Sequence, residues 1–468
     1  MHKPIFDPPA TPPVQPYHAP ADADHPTTPG SPGTPGSPGE QLVHAYKAVR
    51  RFSLQLCRPL AVEDYVVQSM PDASPVKWHL AHTSWFFERF VLHEFRPGYE
   101  PVDHAYYYLF NSYYHGAGPQ HCRPSRGLIA RPTVEQVYDY RRTIDRRMHE
   151  LLTTADPATL DRLRPRLVLG LHHEQQHQEL MLTDIKHLFS SSPLLPAYHA
   201  IEPDAPAERP MTNEPQWRAF DAGLYTFGQP TDAATFHYDN ETPQHQAYLH
   251  AFALADRPVT NGDYLAFIED GGYRRPELWL SLGWATVQER DWQMPLYWYR
   301  DPEQGEAWMQ FTLDGPAPLA LDEPVCHLSY FEADACARWA GARLPAEREW
   351  ELACRDQPVQ GNFADGGRFH PLPLSHDEPA RNNGDGAALQ RCFGDVWEWT
   401  GSAYAPYPGF KPWPGTLGEY NGKFMCNQYV LRGGSCASSQ DHLRATYRNF
   451  FAPDARWQFT GLRLAHDG

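Results

Sequence analysis

Between Pro193 and Pro215 the chain changes character, and this break constrains the fold more than any other feature. Upstream, apolar residues recur at helical spacing over long stretches. Downstream, helix-length periodicity becomes rare, and glycine, tryptophan, tyrosine and short aromatic runs dominate. At 468 residues the chain is also too long for one ordinary core. The expectation is an α+β protein in two folded parts. A four-helix bundle over 41–200 is followed by a proline-studded linker over 201–214, then by a domain of short strands and long loops over 215–468. Residues 1–40 contain 12 prolines, and Pro29 to Gly39 is a Pro/Gly/Ser/Thr tract. Such a segment buries too little apolar surface to offset its ordering entropy, so a disordered tail is expected there.

Within the first part, one helix is expected from Glu40 to about Cys57. Ser74-Pro75 reads as a helix start, with serine capping and proline in the first turn. Trp78, His82, Trp85, Phe86 and Arg89 then share a face. Thr133 and Gln136 form a capping box opening a helix to about Leu152. Leu163 to Phe189 is a long amphipathic helix. Beyond the linker, Tyr330–Ala340 and Glu347–Cys354 read as the clear helices, with Ser329 and Pro345 at their starts.

A formal net charge of −17 argues against a nucleic-acid binder, whose affinity comes from neutralising phosphates, and gives no hint of anionic-membrane binding. The eight cysteines include no Cys-x-x-Cys pair, which fits a reduced, cytoplasmic setting. No run of about 18 apolar residues predicts a membrane helix, and the N-terminus lacks a basic then apolar leader.

The chemistry concentrates in His172-His173-Glu174-Gln175-Gln176-His177-Gln178-Glu179. On a helix, His173 and His177 lie four residues apart on one face, where two imidazoles can share a metal. Leu169, Gly170, Gln176, Leu180 and Asp184 fall on the same face. The run also satisfies His-Glu-x-x-His, the zinc-peptidase pattern with Glu174 as base. That reading expects a third ligand downstream and an edge strand upstream, and neither pattern is evident. His82 lies instead on its own upstream helix, on an aromatic face where an unpaired imidazole would be costly. His82, His173 and His177 would supply three nitrogens and leave coordination positions open. His79, three residues earlier on the same side, competes for the first place. Three neutral imidazoles suit iron, zinc, copper or nickel, and the ligand set alone does not choose.

Leu80-Ala81-His82 followed by His173-x3-His177-x-Glu179 resembles the non-haem iron sulfoxide synthases of ergothioneine biosynthesis, the EgtB family. Their N-terminal half is a DinB-like four-helix bundle. Their C-terminal half resembles the formylglycine-generating enzyme, a C-type-lectin-like fold. The matching C-terminal pieces are Gly394-Asp395-Val396-Trp397-Glu398-Trp399, Leu431-Arg432-Gly433-Gly434-Ser435, Tyr447-Arg448-Asn449-Phe450-Phe451 and Gly461-Leu462-Arg463-Leu464. The resemblance covers roughly residues 41–466.

It implies Fe(II) held by His82, His173 and His177, and the small-molecule partners hercynine, cysteine and O2, joined as a C–S bonded sulfoxide. It implies a tyrosine proton donor: Tyr113 or Tyr114 in Phe110-Asn111-Ser112-Tyr113-Tyr114, or, as in another branch, a C-terminal tyrosine, for which Tyr420 and Tyr429 are candidates. Members using γ-glutamylcysteine carry an aspartate shortly after the Arg-Asn of the late motif. Arg448-Asn449-Phe450-Phe451 has none, so the resemblance points to free cysteine, with the dipeptide as the alternative. Arg123 and Arg126 are candidates to clamp the cysteine carboxylate. Gln176, Asn449, Phe450 and Phe451 are implied contacts of hercynine, the two phenylalanines through their π-faces. Ovothiol-type coupling of histidine is a further alternative. Those enzymes usually carry an extra C-terminal methyltransferase domain, for which the stretch after Leu464 leaves no room. Cys436 stands near the copper-binding cysteine pair of formylglycine-generating enzymes, but it is alone locally and reads as a small buried hydrophobe.

Overall fold

The computed structural model describes residues 37–199, 214–374 and 389–468. These form two compact units, one ending at Leu194 and the other beginning at Leu195. The fold is α+β: a helical unit followed by a sheet-containing one.

Among the described residues, four long helices frame the first unit. They are α1 (Pro38–Cys57), α2 (Val76–Phe87), α3 (Val134–Thr154) and α4 (Pro157–Ser190). Most of the expected proline-rich tail, residues 1–36, lies outside the described residues, but its end is helical. Ser37 caps α1, its hydroxyl accepting from Glu40 N while Glu40 accepts from Ser37 N. Pro38 takes the first helical position, where its missing N–H costs nothing. The Thr133–Gln136 box opens α3 in the same reciprocal way. Asp156 caps α4, which starts at Pro157, earlier than the expected Leu163, and runs through Pro165.

Ser74 corrects a second expectation. It does not cap α2, where Pro75 occupies the N-cap position without a side-chain bond. A residue preceding proline is pushed to extended backbone, and Ser74 is used elsewhere. Its N–H donates to Asp184 at 2.8 Å and its hydroxyl accepts from Arg126 at 2.9 Å.

Gly170 sets how closely α4 approaches α2. A Cβ there would stand 2.5 Å from the Phe87 ring and 3.0 Å from the Phe86 ring. Three residues later comes His173, so this contact places the His173 face of α4 against α2. A buried ionic cluster holds the same level from behind. Glu174 meets Arg141 of α3 at 2.5 Å and Arg50 of α1 at 3.0 Å, and accepts from Ser53 at 2.6 Å. Arg50 also reaches Ser84 of α2 at 3.0 Å, so one cluster ties all four helices.

The chain 195–199 belongs with the second unit, not with the bundle: Tyr198 N donates to the Leu313 carbonyl at 2.7 Å. The linker proper, 201–213, lies outside the described residues. Among the described residues the second unit carries 12 short strands in four small sheets. The largest orders β3 (Asn449–Phe451), β2 (Tyr429–Arg432), β1 (Trp397–Ala403) and β4 (Thr460–Leu462), with β4 parallel to β1 and the other pairs antiparallel. Helices run over Asn261–Glu269, Ser281–Arg290, Tyr330–Trp339 and Glu347–Cys354. The first two lie outside the expected set. Gly262 and Gly283 weaken the helical signal in their first turns.

Long loops here are held by buried arginines. Arg463 pairs with Glu398 at 2.7 Å and donates to the carbonyls of Ala255, Gln390 and Arg391. Arg448 pairs with Glu347 at 2.9 Å and donates to Asn240 and Ala405. Arg432 joins Glu347 and Glu351, with a further bond to Ala445. Gly433 and Gly434 follow at φ +99° and +85°, a left-handed path open to glycine.

Candidate metal centre

His82 on α2 and His173 and His177 on α4 converge in the bundle core, with ligand atoms all within 4.8 Å of one another. They are the one such His/Cys/Asp/Glu group among the described residues. His82 Nε2 and His173 Nε2 face each other at 3.1 Å. His82 Nδ1 lies 2.6 Å from the Phe110 carbonyl, to which it can only donate, so a neutral His82 turns the lone pair of Nε2 toward the centre. Burial, reinforced by the neighbouring imidazoles, holds His82 and His177 well below the ordinary histidine range, and burial pushes His173 down to about 3. All three rings are therefore neutral near pH 7, the state in which imidazole ligates a metal. Three neutral nitrogen donors converging in the buried core fit a divalent transition metal.

His79 is not one of the three. Its Nδ1 lies 2.8 Å from His177 Nδ1, and its Nε2 lies 3.0 Å from Asp184 Oδ2. It stands behind His177. Asp184 shares a helix face with His177, and that was the available sequence signal for this support. The Phe110 carbonyl behind His82 had none, because a backbone group leaves no trace in composition.

Glu174 does not face the centre. One residue on a helix turns the side chain by about 100°, and Glu174 is committed to Arg50, Arg141 and Ser53 on the far side. Burial raises its pKa, but the two arginines and Ser53 outweigh that and bring it down to about 2. A zinc-peptidase base must stand beside the metal with its carboxylate available, so the His-Glu-x-x-His reading fails on geometry.

The loop between α2 and α3 carries the remaining bundle candidates. Arg126 is buried, with its guanidinium 3.4 Å from the centroid of Trp78, which in turn stacks on His82 at 4.5 Å. It donates to Ser74 Oγ at 2.9 Å and Ser112 Oγ at 2.8 Å, and has no ion-pair partner among the described residues. Burial, then the charge of Arg123, pushes it down to about 9. Arg123 is exposed and donates to the Asp72 carbonyl.

Tyr114 is fully buried against Trp85, Phe86 and Phe90, while Tyr113 is half-buried, its ring 4.9 Å from that of Tyr114. Burial pushes Tyr113 up to about 12, with Tyr114, Arg123 and Arg126 pulling the other way. Asn111 pins the loop by donating to the carbonyls of Tyr114 and Gly118, each at 3.0 Å.

Gln176 is half-buried on α4. Asn449, Phe450 and Phe451 form β3 of the second unit, each half-buried. Phe450 stacks on Tyr404 at 4.1 Å, and Phe451 lies edge-on to Trp457 at 6.0 Å. Tyr420 stacks on Tyr238 at 5.3 Å and Tyr429 on Tyr330 at 3.7 Å, both within that unit. Cys436 is buried and unbridged. No helix among the described residues is long and apolar enough to cross a membrane.

Residues 45–181 match the DinB superfamily and residues 202–468 match the sulfatase-modifying factor enzyme 1-like domain. The chain is 34% identical to the hercynine oxygenase of Mycolicibacterium thermoresistibile, across 85% of this chain and 88% of that protein. It is 35% identical to the hercynine oxygenase of Mycobacterium tuberculosis, across 85% of this chain and 92% of that one. The formylglycine-generating enzyme of Streptomyces coelicolor is 29% identical across 57% of this chain and 94% of its own length. With both domains matched in order and identity of this extent across their junction, the chain belongs to the hercynine oxygenase, or EgtB-type, family of oxidative enzymes.

Proposed function

We propose that this enzyme joins hercynine to L-cysteine, with Fe(II) and O2, to give hercynylcysteine sulfoxide in ergothioneine biosynthesis. The convergence of His82, His173 and His177 as neutral ligands carries the reading. Iron, when bound there, supplies activation of O2 and of the thiol. One oxygen atom ends on sulfur and the other in water, with the imidazole C–H and the thiol S–H supplying the two hydrogens. The three imidazoles leave the metal its full positive charge, which favours a thiolate beside it.

Arg126 binds the cysteine carboxylate in this reading. A buried guanidinium with no ion-pair partner among the described residues is costly and is relieved by an anionic substrate. Arg123, more exposed, is a second arm. The phenol of Tyr113, the more open of the pair, holds the proton delivered near the metal, with Tyr114 fixed beneath it. Gln176 is assigned to hercynine within the bundle; Asn449, Phe450 and Phe451 of the second unit are the further candidates that the family resemblance supplies. Free cysteine is preferred because Arg448-Asn449-Phe450-Phe451 offers no carboxylate for the ammonium group of a γ-glutamyl donor.

The test supplies Fe(II) and O2 with hercynine or histidine as acceptor and cysteine or γ-glutamylcysteine as donor. Oxygen uptake and product mass are followed. Hercynine with cysteine is expected to give the sulfoxide at the highest kcat/KM. A larger value for the dipeptide moves the donor assignment, and no sulfoxide from any pair overturns the reading. Tyr113→Phe is expected to divert product toward cysteine sulfinate more than Tyr114→Phe.

A further inference from the structure

We propose that His79 and Asp184 form a tautomer relay that makes His177 a metal ligand through Nε2; the proposal rests on the metal reading above. Two donors meet one carboxylate oxygen. Ser74 N and His79 Nε2 lie 2.8 and 3.0 Å from Asp184 Oδ2. An oxygen already accepting a backbone N–H acts as acceptor toward the ring too, so His79 carries its proton on Nε2. Its Nδ1 then presents a lone pair. That atom is 2.8 Å from His177 Nδ1, which therefore holds the proton and donates it. His177 is left with the lone pair of Nε2 for the metal.

Reversing the chain of protons would aim an N–H of His177 at the centre and remove a ligand. Burial makes the choice firm: His79 is 2% exposed, Asp184 6% and His177 7%, so bulk water does not compete for these atoms. His82 reaches the same end by a shorter route, through the Phe110 carbonyl. A carboxylate behind a ligating histidine commonly supports metal affinity by 10–100-fold. Here a second imidazole stands between the two.

The test uses Co(II) with the full chain and no substrate, read by ligand-field absorption and titration calorimetry. His79→Leu and Asp184→Ala are expected to weaken Co(II) binding about 10–100-fold. His79→Asn places an amide oxygen where the imidazole Nδ1 stood, and Asp184→Asn keeps an oxygen for the same two donors. Both are expected to stay within about threefold of the parent.

A merely structural pair would lose affinity in step with melting temperature, whereas the relay tracks the presence of an acceptor. Parent-like affinity in His79→Leu, or loss of affinity in both amide variants, overturns the relay. If the leucine and alanine variants fail to fold, the amide variants decide alone. Parent protein that binds no Co(II) removes the metal reading and the relay with it. Absence of sulfoxide with intact Co(II) binding removes only the proposed chemistry.

Discussion

The two units bury charge for different reasons. In the bundle, Glu174, Arg50 and Arg141 join helix to helix mainly through side chains, with one backbone contact from Arg141 to the Arg50 carbonyl. Helices satisfy their own backbone, so the cluster is free to set rotation and register. In the second unit, Arg432, Arg448 and Arg463 each reach a carboxylate and also loop carbonyls. Irregular chain has backbone acceptors that no ladder fills, and a guanidinium with five donors fills several at once. Buried charge therefore fixes orientation in the bundle and replaces secondary structure in the loops.

Acid should separate the units most. In metal-free protein the three imidazoles stay neutral when folded and take protons only when unfolded. Stability is whole above pH 6.5 and declines as pH falls below it, through the range down to about 3 for His173. Each such group contributes up to about 1.4 kcal/mol per pH unit. In the second unit, burial raises Glu241 and Glu347, but Arg444, Arg448 and Arg432 outweigh it and hold both low. Their contribution is whole above about pH 4.5 and declines only below it. Hydrogen exchange at pH 7 and 5.5 is expected to show lost protection in the bundle alone; equal loss in both units breaks the contrast.

Removing one acid from each network comes next. Glu174→Gln strands buried Arg141 and leaves Arg50 only its bond to Asp145, and should cost the bundle about 3–5 kcal/mol; Glu398→Gln should cost the second unit the same. Denaturant-dependent exchange measures both. A cost below about 1 kcal/mol for either would show that its arginine finds water or another acceptor.

The smallest effect is steric. Gly170→Ala pushes a methyl against Phe87 and should cost about 1–3 kcal/mol with weaker metal binding, because α2 and α4 must part where His82 and His173 meet. Unchanged stability and Co(II) affinity would show that the Phe87 ring simply moves aside.

The same difference explains what could be read from sequence. A helix repeats its face every three or four residues, so His173 and His177 declare a shared face, and the Thr133–Gln136 box marks where α3 starts. Two separate helices each offering histidines to one core can be recognised before any coordinates exist. The outer layer is harder. Ser74 looks like a cap but serves Asp184 and Arg126, and the partner of His82 is a peptide carbonyl. Nor does sequence show that Pro38 and Gly39 close a polar tract by entering a helix. In the second unit Arg432 and Arg463 stand out only as motif letters. What they tie together is remote in sequence, and periodicity carries no signal of it.

One peptide plane has an engineering consequence. The Phe110 carbonyl anchors His82, and the next residue, Asn111, braces the carbonyls of Tyr114 and Gly118. Anyone transplanting this tyrosine turn into another scaffold would have to move 110–118 as one cassette. A graft that carried the phenols without the carbonyl would leave the first histidine to swivel.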